Sequence, residues 1–191
     1  MNVYFISDLH LGHANILRID NRPFSSIEEH DEVIMQNWNN RVHSNDEVWI
    51  LGDISFYRVP RVVEILRSLN GKKRLCIGNH DGAYMKSAEF RGCFEEIGYY
   101  KKIHLGKKFG IICSHYPIPC FDMHRYGWLH LYGHVHNSPE WYKTMQMKSM
   151  IEQSGTLCRM YNVGCMIPGM DYIPRSYEEI IEFNETKRGV F

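Results

Sequence analysis

Five short segments bring together residues that bind hard or borderline cations: Asp8-Leu9-His10, Gly52-Asp53, Gly78-Asn79-His80-Asp81, Ser114-His115 and Gly133-His134-Val135-His136. They supply carboxylates, imidazoles and an amide, the donor set of oxygen- and nitrogen-ligated divalent metals. A dinuclear hydrolytic site needs a carboxylate that bridges two cations roughly 3.5–4 Å apart, separate terminal ligands for each, and a water between them. Asp53 follows a Gly, so its carboxylate can emerge with backbone close behind, and it is the candidate bridge. Asp8 and His10 lie two apart and are placed to face one metal. His134 and His136 share that spacing, which lets each reach a metal from one extended loop. Asn79 offers a neutral amide oxygen. Taken alone, each segment has a plainer explanation. An Asp after a strand is commonly a turn residue or a helix cap, and Gly-Asn-His-Asp suits a turn because Gly and Asn tolerate φ > 0. Five such segments in succession favour metal chemistry.

Each segment follows an apolar run with strand character. Strands are expected at 3–7, 47–51, 73–77, 109–113, 128–132 and 159–163. Ser26-Ile27-Glu28-Glu29 and Ser176-Tyr177-Glu178-Glu179 have the form of capping boxes, the first opening a helix with Ile27, Val33 or Ile34, Trp38 and Val42 at helical spacing and the second a terminal helix through Phe183. Pro60 suits the first turn of a helix carrying Val62, Val63, Ile65, Leu66 and Leu69, with Gly71 at its end. A further helix is expected near Lys86–Ile97. Strands alternating with helices indicate an α/β domain, and in such sheets functional loops gather at the carboxyl ends of the strands. A single domain over 1–191 is expected. Within it, 137–156, with Trp141, Met145, Met147 and Met150, is either a lid or a connecting helix with buried methionines.

Composition narrows the function classes. The chain has 191 residues, 44% of them hydrophobic, with 22 basic and 22 acidic side chains. Zero formal charge gives no sign of a broad nucleic-acid or membrane surface, and long nucleic acid is not an expected partner. No apolar run reaches the length of a membrane span, and the N-terminus lacks the pattern of a signal peptide. Six cysteines without a Cys-x-x-Cys pair point away from a structural zinc site and toward free thiols in a reducing cytoplasm, with Cys76 and Cys113 as small buried hydrophobes. Eleven histidines favour metal chemistry. Of these, His30, His43, His104, His124 and His130 have no partner at metal spacing and are assigned to surface or core.

The five segments, in this order from Asp8 to His136, resemble the calcineurin-like metallophosphoesterases. Gly12-His13-Ala14-Asn15-Ile16 and Asn21-Arg22-Pro23-Phe24 are similar to the opening block of small bacterial and phage members. The resemblance implies a four-layer αββα sandwich around two metal ions. It implies that Asp8, His10, Asp53 and His136 hold one metal, and that Asp53, Asn79, His115 and His134 hold the other. It places His80 off the metals, beside the leaving group, with Asp81 expected to orient its ring through a hydrogen bond. His13, Asn15 and Arg22 are candidate contacts to the substrate phosphate, Arg22 as a planar fork. Asn162 to Gly164, Tyr116 and Pro117 are candidate walls of the cleft.

The function these residues indicate is hydrolysis of a phosphate ester by a metal-bridging hydroxide, with His80 assisting the leaving group. Phosphodiesters are favoured because few cationic side chains accompany the site, and Arg22 is the hinge of that preference. Two divalent ions are implied, manganese first, with iron, zinc, nickel and cobalt compatible. The expected partner is a small phosphate ester, a nucleotide among the options. The alternatives are a phosphomonoesterase, or a non-catalytic module that binds phosphate or protein and keeps its metals as structure.

Overall fold

The computed structural model describes residues 1–185. In chain order the elements are β1 (Val3–Ile6), α1 (Ile16–Ile19), α2 (Ile27–Arg41), β2 (Glu47–Ile50), α3 (Val59–Ser68), β3 (Lys72–Cys76), α4 (Ala88–Arg91) and β4 (Glu96–Gly98). There follow β5 (Tyr100–His104), β6 (Gly110–Ser114), β7 (Leu129–Tyr132), α5 (Pro139–Gln153), β8 (Arg159–Asn162), β9 (Arg175–Ser176) and α6 (Tyr177–Glu185). Two sheets form, one ordered β4-β3-β2-β1-β9 and the other β5-β6-β7-β8. In the first, β1 to β4 pair in parallel and β9 closes the edge antiparallel to β1. In the second, β6, β7 and β8 are parallel and β5 is antiparallel.

Strand periodicity distributes side chains between two cores. Ile111, Cys113, Leu129, Leu131 and Tyr161 pack in the main cluster with Phe5, Ile50 and Leu75 of the first sheet. Their neighbours Ile112, Tyr132 and Met160 turn the other way and join Phe121 and Trp128 under Trp141 and Ile151, the latter two on α5. Ile34 and Trp38 of α2, Val62, Val63, Ile65 and Leu66 of α3 and Ile180 of α6 also belong to the main cluster. Arg41 of α2 pairs with Glu179 of α6 at 2.7 Å. The layers therefore run helices, sheet, sheet, helix, the sandwich that the resemblance implies.

The sheets are stitched where the site lies. Ser7 N–H donates to Val163 O and Cys165 N–H to Ser7 O, both at 2.9 Å, a parallel bridge from the end of β1 to the end of β8. The carboxyl ends of both parallel sets thus meet at one edge.

Local chemistry explains the departures from expectation. The helix expected near Lys86–Ile97 is only the four residues of α4, whose C-cap is Gly92, and the chain then enters β4 beside β3. Strand β5 has no sequence signal because Lys101 and Lys102 break its hydrophobic pattern, and its partner β6 supplies the register. Helix α5 lies against the second sheet through Thr144 and Lys148, and Lys148 Nζ donates to Met160 O. Its methionines Met145, Met147 and Met150 face outward rather than inward. The capping box at Ser176 forms with both reciprocal bonds. At α2, Ser26 caps Glu29 N–H, but the Glu29 carboxylate reaches back one residue further, to Ser25.

His130, on the outward face of β7, is fully buried. Its Nδ1–H donates to Ile112 O, and its Nε2 accepts from Ile118 N–H. Burial pushes its pKa down to about 4, against 6.5 when exposed. A depressed imidazole stabilises the fold fully above pH 6.5, and that contribution is lost as pH falls toward 4 because protonation removes the acceptor at Nε2. The lost contribution is about 3 kcal/mol. Urea unfolding of wild type and His130→Gln should show a stability gap that narrows by up to about 3 kcal/mol from pH 7 to pH 4. A gap independent of pH would show that His130 does not titrate on unfolding.

Candidate metal centre

Every implied ligand lies just past a strand of one or other sheet. Asp8 follows β1, Asp53 follows β2, Asn79 follows β3, His115 follows β6, and His134 and His136 follow β7. Five of these residues have left-handed backbone: Asp8 (φ 56°), His10 (φ 51°), Asp53 (φ 57°), His134 (φ 71°) and His136 (φ 45°). That conformation is costly for residues with a Cβ and persists only where surrounding contacts enforce it. Here it turns each chain sharply at the strand end, so that side chains aim inward across the seam. The loops are laced to one another. Asp8 N–H donates to Gly52 O, His10 N–H to Asp53 O and Leu11 N–H to Ile54 O, each at 3.0 Å.

The glycines of the motifs are there for space. A Cβ on Gly78 would overlap Asp53 Oδ1, and one on Gly133 would overlap Ser7 Oγ and Asp8 Oδ2. One on Gly52, whose φ is 91°, would press on the His115 ring.

The donor atoms fall into two groups that share Asp53. In the first, ligand atoms of Asp8, His10, Asp53 and His136 all lie within 4.8 Å of one another. His10 Nε2 stands 3.3 Å from His136 Nε2 and 3.7 Å from Asp53 Oδ2, and His136 Nε2 stands 3.6 Å from Asp8 Oδ1. In the second, Asn79 Oδ1 is 2.9 Å from both His115 Nε2 and His134 Nδ1, and His115 Nε2 is 3.5 Å from Asp53 Oδ2. Convergence of carboxylate oxygens and imidazole nitrogens in a buried space is what a pair of divalent cations requires, and the residues present fit such a pair.

The tautomers suit this role. His115 Nδ1–H donates to Leu51 O at 2.7 Å, and His136 Nδ1–H donates to Asp20 at 2.8 Å, leaving each Nε2 directed at the centre. Burial, with the neighbouring His136 ring, drives His10 down to about 2, so it stays neutral. Burial opposes charge on Asp53, yet the bond to His115 and the His80 N–H hold its carboxyl at about 2. Burial likewise opposes charge on His115, but Asp53 and Asp8 raise it to about 9.

Several expected roles are corrected. Arg22 does not reach toward substrate: its side chain is fully enclosed. Its guanidinium donates to Asp8 O, Leu9 O, Asp20 and His30 Nε2 at 2.8–3.1 Å. It braces the first site loop from behind. Asp81 does not orient His80. Its carboxylate, fully buried, accepts from the backbone N–H groups of Gly78, Asp53 and Ile54 at 2.8–3.0 Å, tying the second and third loops together. Asn162 is a brace as well, donating to His136 O and accepting from Gly164 N–H.

His80 stands beside the centre. Its N–H donates to Asp53 Oδ1 at 2.9 Å, while its ring is partly exposed with Nε2 3.9 Å from Asp53 Oδ2. His13 lies flat on Phe56, with ring centroids 3.9 Å apart, and 5.5 Å from His10. Asn15 is exposed and precedes α1 without a side-chain cap bond. The Tyr116 ring lies 4.4 Å from that of His134, on the rim of the second group.

Two residues escaped the sequence reading. Asp20 links His136 to Arg22, and from there the chain of contacts runs through His30 and Asp31 to Gly12 N–H. Phe56, exposed between His13 and His80, is the other. Asp20 is signalled only by its place two residues before Arg22, and Phe56 only as a large apolar residue in a loop.

Replacing Asp20 by Asn should weaken metal binding about 10–100-fold with the fold retained, as competition with a chelator would read. Unchanged affinity would remove Asp20 from the support of the centre. Arg22→Met should lower the urea unfolding free energy by roughly 3–5 kcal/mol, because Asp20 and the loop carbonyls lose their partner in the interior. A stable variant with only a raised KM would instead restore Arg22 to the substrate.

Residues 1–155 match the family model for calcineurin-like phosphoesterases. An uncharacterized protein of Methanocaldococcus jannaschii is 38% identical over 136 residues, 70% of this chain and 69% of that protein. The gene 66 protein of Mycobacterium phage L5 is 41% identical over 86 residues, 44% of this chain and 41% of the phage protein. A protein of unknown function from Aquifex aeolicus, known from its crystal structure, superimposes with a TM-score of 0.70 at 27% identity, covering 95% of this chain and 98% of that one. With its sandwich of two sheets and its shared-aspartate cluster of metal donors, the chain belongs to the calcineurin-like phosphoesterase family.

Proposed function

We propose that this chain is a dinuclear metal-dependent phosphodiesterase acting on a small phosphate ester, nucleotides included. The observation that carries the proposal is the pair of donor groups sharing Asp53, with His80 beside them and off both. Asp8, His10, Asp53 and His136 would hold one ion, and Asp53, Asn79, His115 and His134 the other. When bound, the ions supply an activated water and neutralise charge on the phosphoryl oxygens. Manganese suits the mixed oxygen and nitrogen donors, as do iron, zinc, nickel and cobalt.

The protein's own residues do the rest. Asp20 and the Leu51 carbonyl fix the His136 and His115 rings, so the centre is organised before substrate arrives. His80, with its ring partly open to solvent, is placed to give a proton to the departing oxygen.

The preference for diesters rests on how Arg22 and Arg175 are engaged. A monoester dianion gains from a planar cationic clamp on its third oxygen. Arg22, the foremost candidate, is committed to the interior. Arg175 pairs with Asp171 and Glu179. A diester monoanion needs no such clamp. No helix among the described residues is long and apolar enough to cross a membrane. All six cysteines are free, which suits a reducing cytoplasmic setting.

Manganese-loaded protein should hydrolyse matched aryl diesters with kcat/KM at least equal to that for aryl monoesters. A strong monoester preference would make it a phosphomonoesterase. Failure to turn over either, with both ions bound, would leave a binding module. His80→Ala should retain two ions per chain by elemental analysis while turnover falls on the order of 10²–10⁴-fold. Loss of metal from that variant would make His80 a ligand instead.

A further inference from the structure

Beside His80 the surface dips into a hollow of about 460 Å³, lined by Phe56, Tyr57, Arg58, Val59, His80 and Ala83 among others. Three properties set it apart from ordinary surface. First, Phe56 is 42% exposed at the edge of a buried polar centre. Its open part faces the hollow. Second, that ring is held firmly. His13 covers one side at 3.9 Å and 16° between planes, and His80 leans on it at 4.8 Å and 45°. Third, the floor is rigid. The buried Tyr84 donates its hydroxyl to both Ser55 O and Tyr57 O, pinning the loop that carries Phe56. Arg58, at the N-cap of α3, is exposed at the margin, and guanidinium groups stack on aromatic faces.

We infer that this hollow receives the leaving group and that it selects an aromatic one, a phenol or a base-bearing nucleoside, by contact with Phe56. The inference rests on the phosphoesterase proposal above and on the place of His80 in it. A proton from His80 can reach only an oxygen on its own side of the phosphorus, and the group attached to that oxygen must extend past His80 into the space that Phe56 borders. The bonds made and broken are those of ordinary hydrolysis. Water oxygen bonds to phosphorus, the leaving oxygen departs with its bonding pair, and it is protonated as the free alcohol. Phe56 therefore acts on which ester is taken.

The test uses the manganese-loaded protein and two monoanions that carry no ester oxygen and so cannot be hydrolysed, benzyl(methyl)phosphinate and methyl(propyl)phosphinate. Their dissociation constants are measured by calorimetry for wild type, Phe56→Ala and Phe56→Tyr, with metal content checked in each. The benzyl-to-propyl affinity ratio should fall about tenfold in Phe56→Ala, the scale of one aromatic contact, and return toward wild type in Phe56→Tyr. Turnover of p-nitrophenyl methyl phosphate by wild type is followed in parallel. A ratio within twofold of wild type in Phe56→Ala, with turnover intact, would overturn the assignment of the hollow alone. It would leave Phe56 as a support for His13 and His80. Absence of turnover would overturn the phosphoesterase proposal and this inference together.

Discussion

The structure turns on the crowding of electron-rich atoms at the seam between two sheets. Carboxylate oxygens of Asp8 and Asp53 share a buried space with imidazole nitrogens of His10, His115 and His136 at 3.3–3.7 Å. In low dielectric such a cluster is costly unless positive charge is supplied. The rest of the molecule can be understood as the apparatus that holds these groups in place against that cost. Parallel strands bring their carboxyl ends to one edge. Left-handed backbone at five ligands turns the side chains inward. Glycines at 52, 78 and 133 remove the Cβ atoms that would block them.

Holding strained residues requires interactions elsewhere, and those are mainly buried and polar. Asp81 captures three backbone N–H groups from two loops, and Arg22 captures two carbonyls of the first loop while pairing with Asp20. The contacts from His136 through Asp20, Arg22, His30 and Asp31 to Gly12 close into a continuous network behind the first donor group. A buried ionic network of this kind contributes little net stability but is expensive to break at one member. Its value lies in fixing geometry, which a preorganised electrostatic centre needs more than strength. The stability required to hold it comes from the apolar cores on either side.

The charges in this network also divide the labour among histidines. On the centre, burial keeps His10 neutral, while Asp53 and Asp8 favour the charged form of His115. Those away from it, His30 and His130, are buried with both ring nitrogens engaged. His13 and His80 lie at the margin in contact with Phe56.

The candidate metal donors, whose side chains converge in the structure, are legible in the sequence because each has a particular residue type soon after a buried strand, and both signals are local. The α/β character and both capping serines were legible for the same reason. Arg22 and Asp81 were misassigned because residue type reveals what a side chain can bond to but not which partner lies within reach. An arginine fork fits a phosphate or a pair of loop carbonyls equally well, and only the fold placed it behind the loop. Strands β4, β5 and β9 were hidden because they are short or polar and gain their hydrogen bonds from distant partners. Asp20 and Phe56 gained their roles only when loops far apart in the chain met at the seam. By itself, the sequence determined which atoms can bind metal and the order in which strands deliver them. The tertiary structure alone decided which polar groups face the centre and which support it, since that depends on long-range proximity, and local pattern does not encode proximity.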